Sequence, residues 1–109
     1  MLFRSSGGEK IYPSEIESII DRHPAVATSV IVGVQDKIKG FKPYAFVQLK
    51  NNENITAEQI KNFTIKNVAT YQIPRDIWIL DDIPKTSIGK IDRKLLTKMA
   101  TDRIASQSK

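Results

Sequence analysis

Residues 43–49 constrain the fold of this chain more than any other stretch. Read as a strand, they put Tyr44 and Phe46 on one face and Ala45, Val47 and Leu49 on the other. A strand that is apolar on both faces has to be covered on both, so it belongs in the centre of a sheet between two layers. Residues 25–34 supply a neighbour rich in β-branched side chains, with Val26, Val30, Val32 and Val34 expected on one face at period two. A short third strand is expected from Ile77-Trp78-Ile79-Leu80.

Helices are expected between these strands. Ser14-Glu15-Ile16-Glu17 fits a capping box beside Pro13, and Ile16, Ile19 and Ile20 follow as one apolar stripe. Pro24 disfavours helical geometry at His23 and ends the segment there. Thr56-Ala57-Glu58-Gln59 is a second capping box, opening a helix expected to bury Ile60, Phe63 and Val68. Asp92 is the N-cap expected for a last helix that buries Leu95, Leu96 and Met99. The paired Gly7 and Gly8 read locally as a hairpin turn. The order hairpin, α, β, β, α, β, α implies an α+β fold: a small sandwich of a three-stranded, mostly antiparallel sheet with helices packed on it, preceded by a short N-terminal hairpin. With 40% hydrophobic residues in 109, one domain spanning 1–109 can bury a core.

The composition removes several kinds of chemistry. Without cysteine there is no disulfide framework and no thiolate metal site, which fits a reducing, cytoplasmic setting. His23, the one histidine, has no nucleophile or second ligand near it in sequence and reads as structural. Met1-Leu2-Phe3-Arg4 has no apolar segment behind it, so no signal peptide is expected, and no run approaches the length of a membrane span. Residues 1–84 carry ten basic and ten acidic side chains, so the net charge of +5 lies wholly in residues 85–109. That segment, which includes Lys109, suggests an anionic partner, or simply a solvated helix face. Within it, Gly89-Lys90 read alone is a surface turn with a solvated lysine.

Four motifs in register change that reading. Ser6-Gly7-Gly8-Glu9-Lys10-Ile11-Tyr12-Pro13-Ser14-Glu15-Ile16-Glu17 resembles the hinge-proximal motif of AMP-forming acyl-CoA synthetases, and His23-Pro24-Ala25-Val26 with the strand after it resembles their next segment. Tyr71-Gln72-Ile73-Pro74-Arg75 is similar to the family's aromatic connector. Pro84-Lys85-Thr86-Ser87-Ile88-Gly89-Lys90-Ile91-Asp92-Arg93 is similar to its final motif, P-x-T-x-x-G-K-I-x-R. The resemblance covers residues 5–96 and is to the C-terminal lid subdomain alone.

The resemblance implies a larger partner, an N-terminal AMP-binding domain of the same enzyme, which would hold the carboxylic (for instance fatty) acid and the ATP with its Mg2+. The carboxylate attacks the α-phosphate to give an acyl-adenylate and pyrophosphate, and the thiol of coenzyme A then displaces AMP. The lid rotates between the two steps. Lys90 matches the adenylation lysine, Gly89 a loop hinge, Gly7 and Gly8 the pantetheine path, and Tyr71 and Arg75 the coenzyme A nucleotide. No metal site is implied within this chain, which alone would be an incompetent fragment. Three residues depart from the pattern: Gln72 replaces a usual lysine, Lys39 a frequent aromatic, and Lys10 a common asparagine. Other readings are the lid of a peptide-synthetase adenylation domain or of a luciferase-like enzyme, or a small basic nucleic-acid-binding module. The Tyr12-Pro13 pair favours the acyl-CoA ligases, and no nucleic-acid partner is expected.

Overall fold

A computed structural model describes residues 2–107; Met1 and Lys109 lie outside the described residues. A two-stranded hairpin, β1 (Phe3–Arg4) and β2 (Lys10–Ile11), leads into α1 (Pro13–Ile20). Then follow β3 (Val26–Gln35), β4 (Phe41–Leu49), α2 (Ala57–Ile65), β5 (Ile77–Ile79) and α3 (Arg93–Gln107). The sheet order is β3-β4-β5. β4 is antiparallel to β3 over a long register and parallel to the short β5, with α2 as the crossover, so the sheet is mixed.

The central place of β4 follows from its two apolar faces. On one side Ala45 and Val47 pack with Ile11, Ile16, Ile20, Ile31, Ile60 and Ile77, which come from the hairpin, α1, β3, α2 and β5. On the other, Phe46 packs with Val30, Val32, Ile83, Leu96 and Ala100, so α3 covers that face. Three layers result, with every large β4 side chain from Tyr44 to Leu49 but Gln48 committed to one of two cores.

Four details differ from expectation. Val26 lies in the first core, while Val30 and Val32 lie in the second. The register steps from Val26↔Leu49 to Thr28↔Gln48, so Ala27 is the extra residue of a β-bulge and inverts the alternation. Ser14 does not cap α1: the N-cap is Tyr12, in extended geometry without a side-chain cap, and Pro13 fills the first helical position. Glu17, the other half of that box, is engaged elsewhere. Leu95 is 41% exposed, because Leu96 and Ala100 face the sheet instead. α2 buries Ile60 and Thr64 and leaves Phe63 half-buried, and it ends at Ile65, so the half-buried Val68 lies beyond it.

The other caps form as the sequence suggests. Thr56 and Gln59 close both halves of their capping box at 3.1 and 2.9 Å. Asp92 accepts the Leu95 N–H at 3.1 Å, opening α3. His23 is structural in its contacts: its Nδ1 accepts the Ala25 N–H at 3.1 Å and its ring meets Phe63 edge-on at 5.0 Å.

Candidate functional site

The candidate residues fall into two groups. The first is a β-hairpin over residues 84–92, between β5 and α3. Lys85 and Ile91 form an antiparallel bridge. The Thr86 N–H donates to the Lys90 carbonyl at 2.7 Å, the Gly89 N–H to the Thr86 carbonyl at 2.9 Å and the Asp92 N–H to the Pro84 carbonyl at 3.0 Å. Gly89 has φ +84°, the left-handed geometry that such a turn needs and that glycine adopts without strain. The segment is therefore a hydrogen-bonded arm rather than a loose loop. Ile83 and Ile91 anchor its base in the second core, and Ile88 stands 76% exposed near its tip. Lys90 is exposed, and among the described residues its ammonium enters no ion pair.

The second group lines a cleft of about 170 Å³ where the N-terminal hairpin meets the beginnings of β4 and β5. Gly7, Tyr71 and Arg75 all line it, joined by Ser6, Glu9 and Lys42. The turn carrying the glycines is held on all sides. The Ser5 hydroxyl donates to the Glu9 carboxylate at 2.8 Å and the Ser5 N–H to the Glu9 carbonyl at 2.9 Å, while the Gly8 N–H donates to the Ser5 carbonyl at 2.9 Å. The Lys42 ammonium donates to Ser6 Oγ at 3.5 Å. Gly8 has φ +90° and is not among the lining residues. Tyr71 rides on a short 3-10 turn, Thr70–Gln72, and is 39% exposed. The Arg75 N–H donates to the Pro43 carbonyl at 2.8 Å, fixing its Cα at the mouth of the sheet. Two cations, a hydroxyl and a glycine backbone outweigh the one carboxylate, Glu9, which already accepts from Ser5, so the cleft can take a phosphate, with an aromatic face beside it.

Gln72, which departs from the usual lysine, caps its own turn by accepting the Ala69 N–H at 2.9 Å. Lys39 sits exposed in the loop before Gly40 and does not line the cleft. Ser6 and Glu9 flank the glycine pair in the hinge-proximal motif, but nothing in the sequence singles out Lys42; only its closeness to that pair across the β4 start reveals it. Among the described residues no cluster of three or more His, Asp or Glu is arranged for a metal. Burial pushes the Tyr44 phenol above its ordinary value, with the nearby Arg75 charge partly opposing this.

The cleft lies at the N-terminal ends of β4 and β5. The arm bearing Lys90 leaves beyond the C-terminal end of β5, where the Ile83 N–H donates to Gln48 Oε1 at 2.9 Å. The structure thus brings Gly7, Tyr71 and Arg75 together and keeps Lys90 out of their company.

Residues 15–90 match the model of the AMP-binding enzyme C-terminal domain. The chain belongs to that family. It is 38% identical over 88 residues to a 3-oxocholest-4-en-26-oate--CoA ligase of Rhodococcus rhodochrous, covering 81% of this chain and 16% of the relative. It is 36% identical over 103 residues to an oxalate--CoA ligase of Saccharomyces cerevisiae, covering 94% of this chain and 19% of that one. Among solved structures, apo MatB from Rhodopseudomonas palustris superposes with a TM-score of 0.84 at 29% identity, over 93% of this chain and 20% of that one. A Mycobacterium tuberculosis fatty acyl CoA synthetase gives a TM-score of 0.76 at 32% identity, over 89% and 19% of the two chains. The chain thus spans a fifth or less of the length of these members, and it corresponds to their C-terminal domain. These likenesses point towards CoA ligases rather than towards a nucleic-acid-binding module.

Proposed function

We propose that residues 1–109 form the mobile C-terminal domain of an ATP-dependent acid–CoA ligase, completed by an N-terminal AMP-binding domain that holds ATP, its Mg2+ and a carboxylic acid such as a fatty acid, in the cytoplasm. The observation that carries this is that one small body bears both an exposed lysine on a braced arm and a separate cleft lined by Gly7, Tyr71, Lys42 and Arg75, with Lys90 outside that lining. Two rigid sites on one small body suit two half-reactions presented in turn by rotation of that body. Lys90 meets the phosphates in the first. Negative charge develops on their oxygens as the carboxylate attacks, and a positioned ammonium stabilises it with no proton transfer. Gly89 lets the arm turn sharply just before that lysine. In the second half-reaction Arg75, with Lys42 beside it, pairs with phosphates of coenzyme A, Tyr71 stacks on its nucleotide, and Gly7 and Gly8 let the pantetheine chain approach the backbone.

The test uses the full-length protein. Lys90→Ala should lower ATP–pyrophosphate exchange by about 10²–10³-fold, the cost of removing one preorganised transition-state contact. Thioester formation from a supplied acyl-adenylate and coenzyme A should largely survive. Equal loss of both half-reactions refutes the role given to Lys90. Coenzyme A dependence of the full-length protein separates this reading from a peptide-synthetase or luciferase-like lid.

A further inference from the structure

We infer that Glu17 and Arg93 are positioning residues for Lys90, acting on the first half-reaction alone; this rests on the function proposed above. The two residues are 76 positions apart and meet across the outer edge of β3. Arg93 Nη1 donates to Glu17 Oε2 at 3.0 Å and Nη2 to Oε1 at 3.3 Å, a two-pronged pairing. The same Nη1 donates to the Ile31 carbonyl at 3.1 Å, and Glu17 Oε2 accepts the Ile31 N–H at 2.8 Å. Glu17 is largely buried, with its side chain 14% exposed against 37% for Arg93.

The clamp therefore ties α1, on one face of the sheet, to the first residue of α3, on the other. Arg93 is also where the 84–92 arm ends, three residues after Lys90. The arm has two feet. One is Ile83, whose N–H is held by Gln48. The other is Arg93, held by Glu17 and the β3 backbone. Release of the second foot leaves the hairpin's own hydrogen bonds and the packing of Ile91 intact but loosens the arm's direction relative to the sheet. The cleft with Gly7, Tyr71 and Arg75 shares no residue with this clamp. A fixed direction matters for Lys90 because misplacement by about 1 Å can cost on the order of a hundredfold in rate.

Glu17→Gln keeps the size of the side chain and an acceptor for the Ile31 N–H while removing the charge. Arg93→Lys keeps the charge and loses the fork. In the full-length protein, ATP–pyrophosphate exchange is measured with a panel of oxalate, 2-succinylbenzoate and octanoate. Thioester formation is measured from the synthetic adenylate of whichever acid is accepted. Each variant should lower kcat for exchange about tenfold, with KM for ATP within about twofold and thioester formation within about threefold of the unaltered protein. The double variant should be no worse than the poorer single one, because both remove the same contact. Lys98→Ala, which breaks the exposed 3.0 Å pair with Asp102 on α3, is the surface-pair control. Thermal unfolding selects variants that are folded at the assay temperature, and Arg93→Lys carries the test where Glu17→Gln is not. A parallel fall of both half-reactions, or exchange unchanged in both variants, overturns the inference while Lys90→Ala still separates the steps. If Lys90→Ala does not separate them, the proposed function falls first and the clamp loses its purpose with it.

Discussion

Gly40 offers the sharpest test of how the glycine-bearing hairpin is held against the sheet. It combines φ +69° with a crowded neighbourhood: a Cβ there would lie 2.6 Å from the Ser5 carbonyl oxygen, 2.7 Å from its carbon and 2.8 Å from the Ser6 nitrogen. Those are backbone atoms, and Ser5 is fastened to Glu9 and bridged to Phe41, so they cannot swing aside as a side chain would. Relief requires the hairpin to retreat by about 0.8 Å to reach ordinary contact near 3.4 Å. In Gly40→Ala the left-handed backbone alone costs about 1–2 kcal/mol, and the stiffer unfolded chain returns about 0.4–1 kcal/mol. Displacing the packed backbone adds about 1–3 kcal/mol. The net loss should be about 1–4.5 kcal/mol, centred near 3 kcal/mol. Gly8→Ala is the matched control, since Gly8 has φ +90° and nothing within 4 Å of where a Cβ would stand. It should lose only about 0–1.5 kcal/mol, centred near 1 kcal/mol, the backbone cost less the unfolded-state gain. Urea unfolding of the 109-residue chain, followed by the fluorescence of its single tryptophan, Trp78, gives both values. Equal losses for the two variants would mean that the hairpin yields freely and is not seated on the sheet as described.

Two further outcomes follow from the second core. Phe46→Ala removes a side chain that is 0% exposed and packed on Trp78 at 5.2 Å between ring centroids, so it should cost about 3–5 kcal/mol in the same urea experiment; a loss under about 1 kcal/mol would contradict that packing. Tyr44, stacked on Trp78 at 5.4 Å with 4° between the planes, has its pKa raised by burial. It stays neutral in the folded chain where the unfolded chain has begun to ionise, so its contribution is whole below about pH 10 and declines as pH rises through the folded value. The fall in stability above about pH 10 should therefore be shallower in Tyr44→Phe, and an identical slope would contradict the burial argument.

The layered fold is legible because β4 wears its two-sided burial openly: Tyr44 and Phe46 on one face and Ala45 and Val47 on the other both demand a covering layer. Local cues fail where a distant partner outcompetes them. Ser14 and Glu17 have the spacing of a capping box, yet Glu17 gains more from a guanidinium and an open strand edge than from a helix N–H, and that competitor is 76 residues away. The face of Val26 is hidden from the sequence because a bulge at Ala27 leaves no mark in a run of β-branched residues. Leu95 and Leu96 are adjacent leucines, and only the entry angle set by Asp92 and Arg93 decides which one turns inward. As for the site, the motifs point to the residues, but the gathering of Gly7, Tyr71 and Arg75 around one cleft depends on three chain segments converging. No spacing within a single motif encodes that.

The Glu17–Arg93 clamp has a consequence for how the molecule behaves among its own copies. β3 has a neighbour on one side only, so its outer rim offers main-chain donors and acceptors to any strand that drifts past. At Ile31 both groups are already taken by charged side chains, one from each layer. A passing strand would have to break a partly buried ion pair to begin pairing there. The contact that steadies the lysine arm thus also guards an apolar sheet against self-association in a crowded solution.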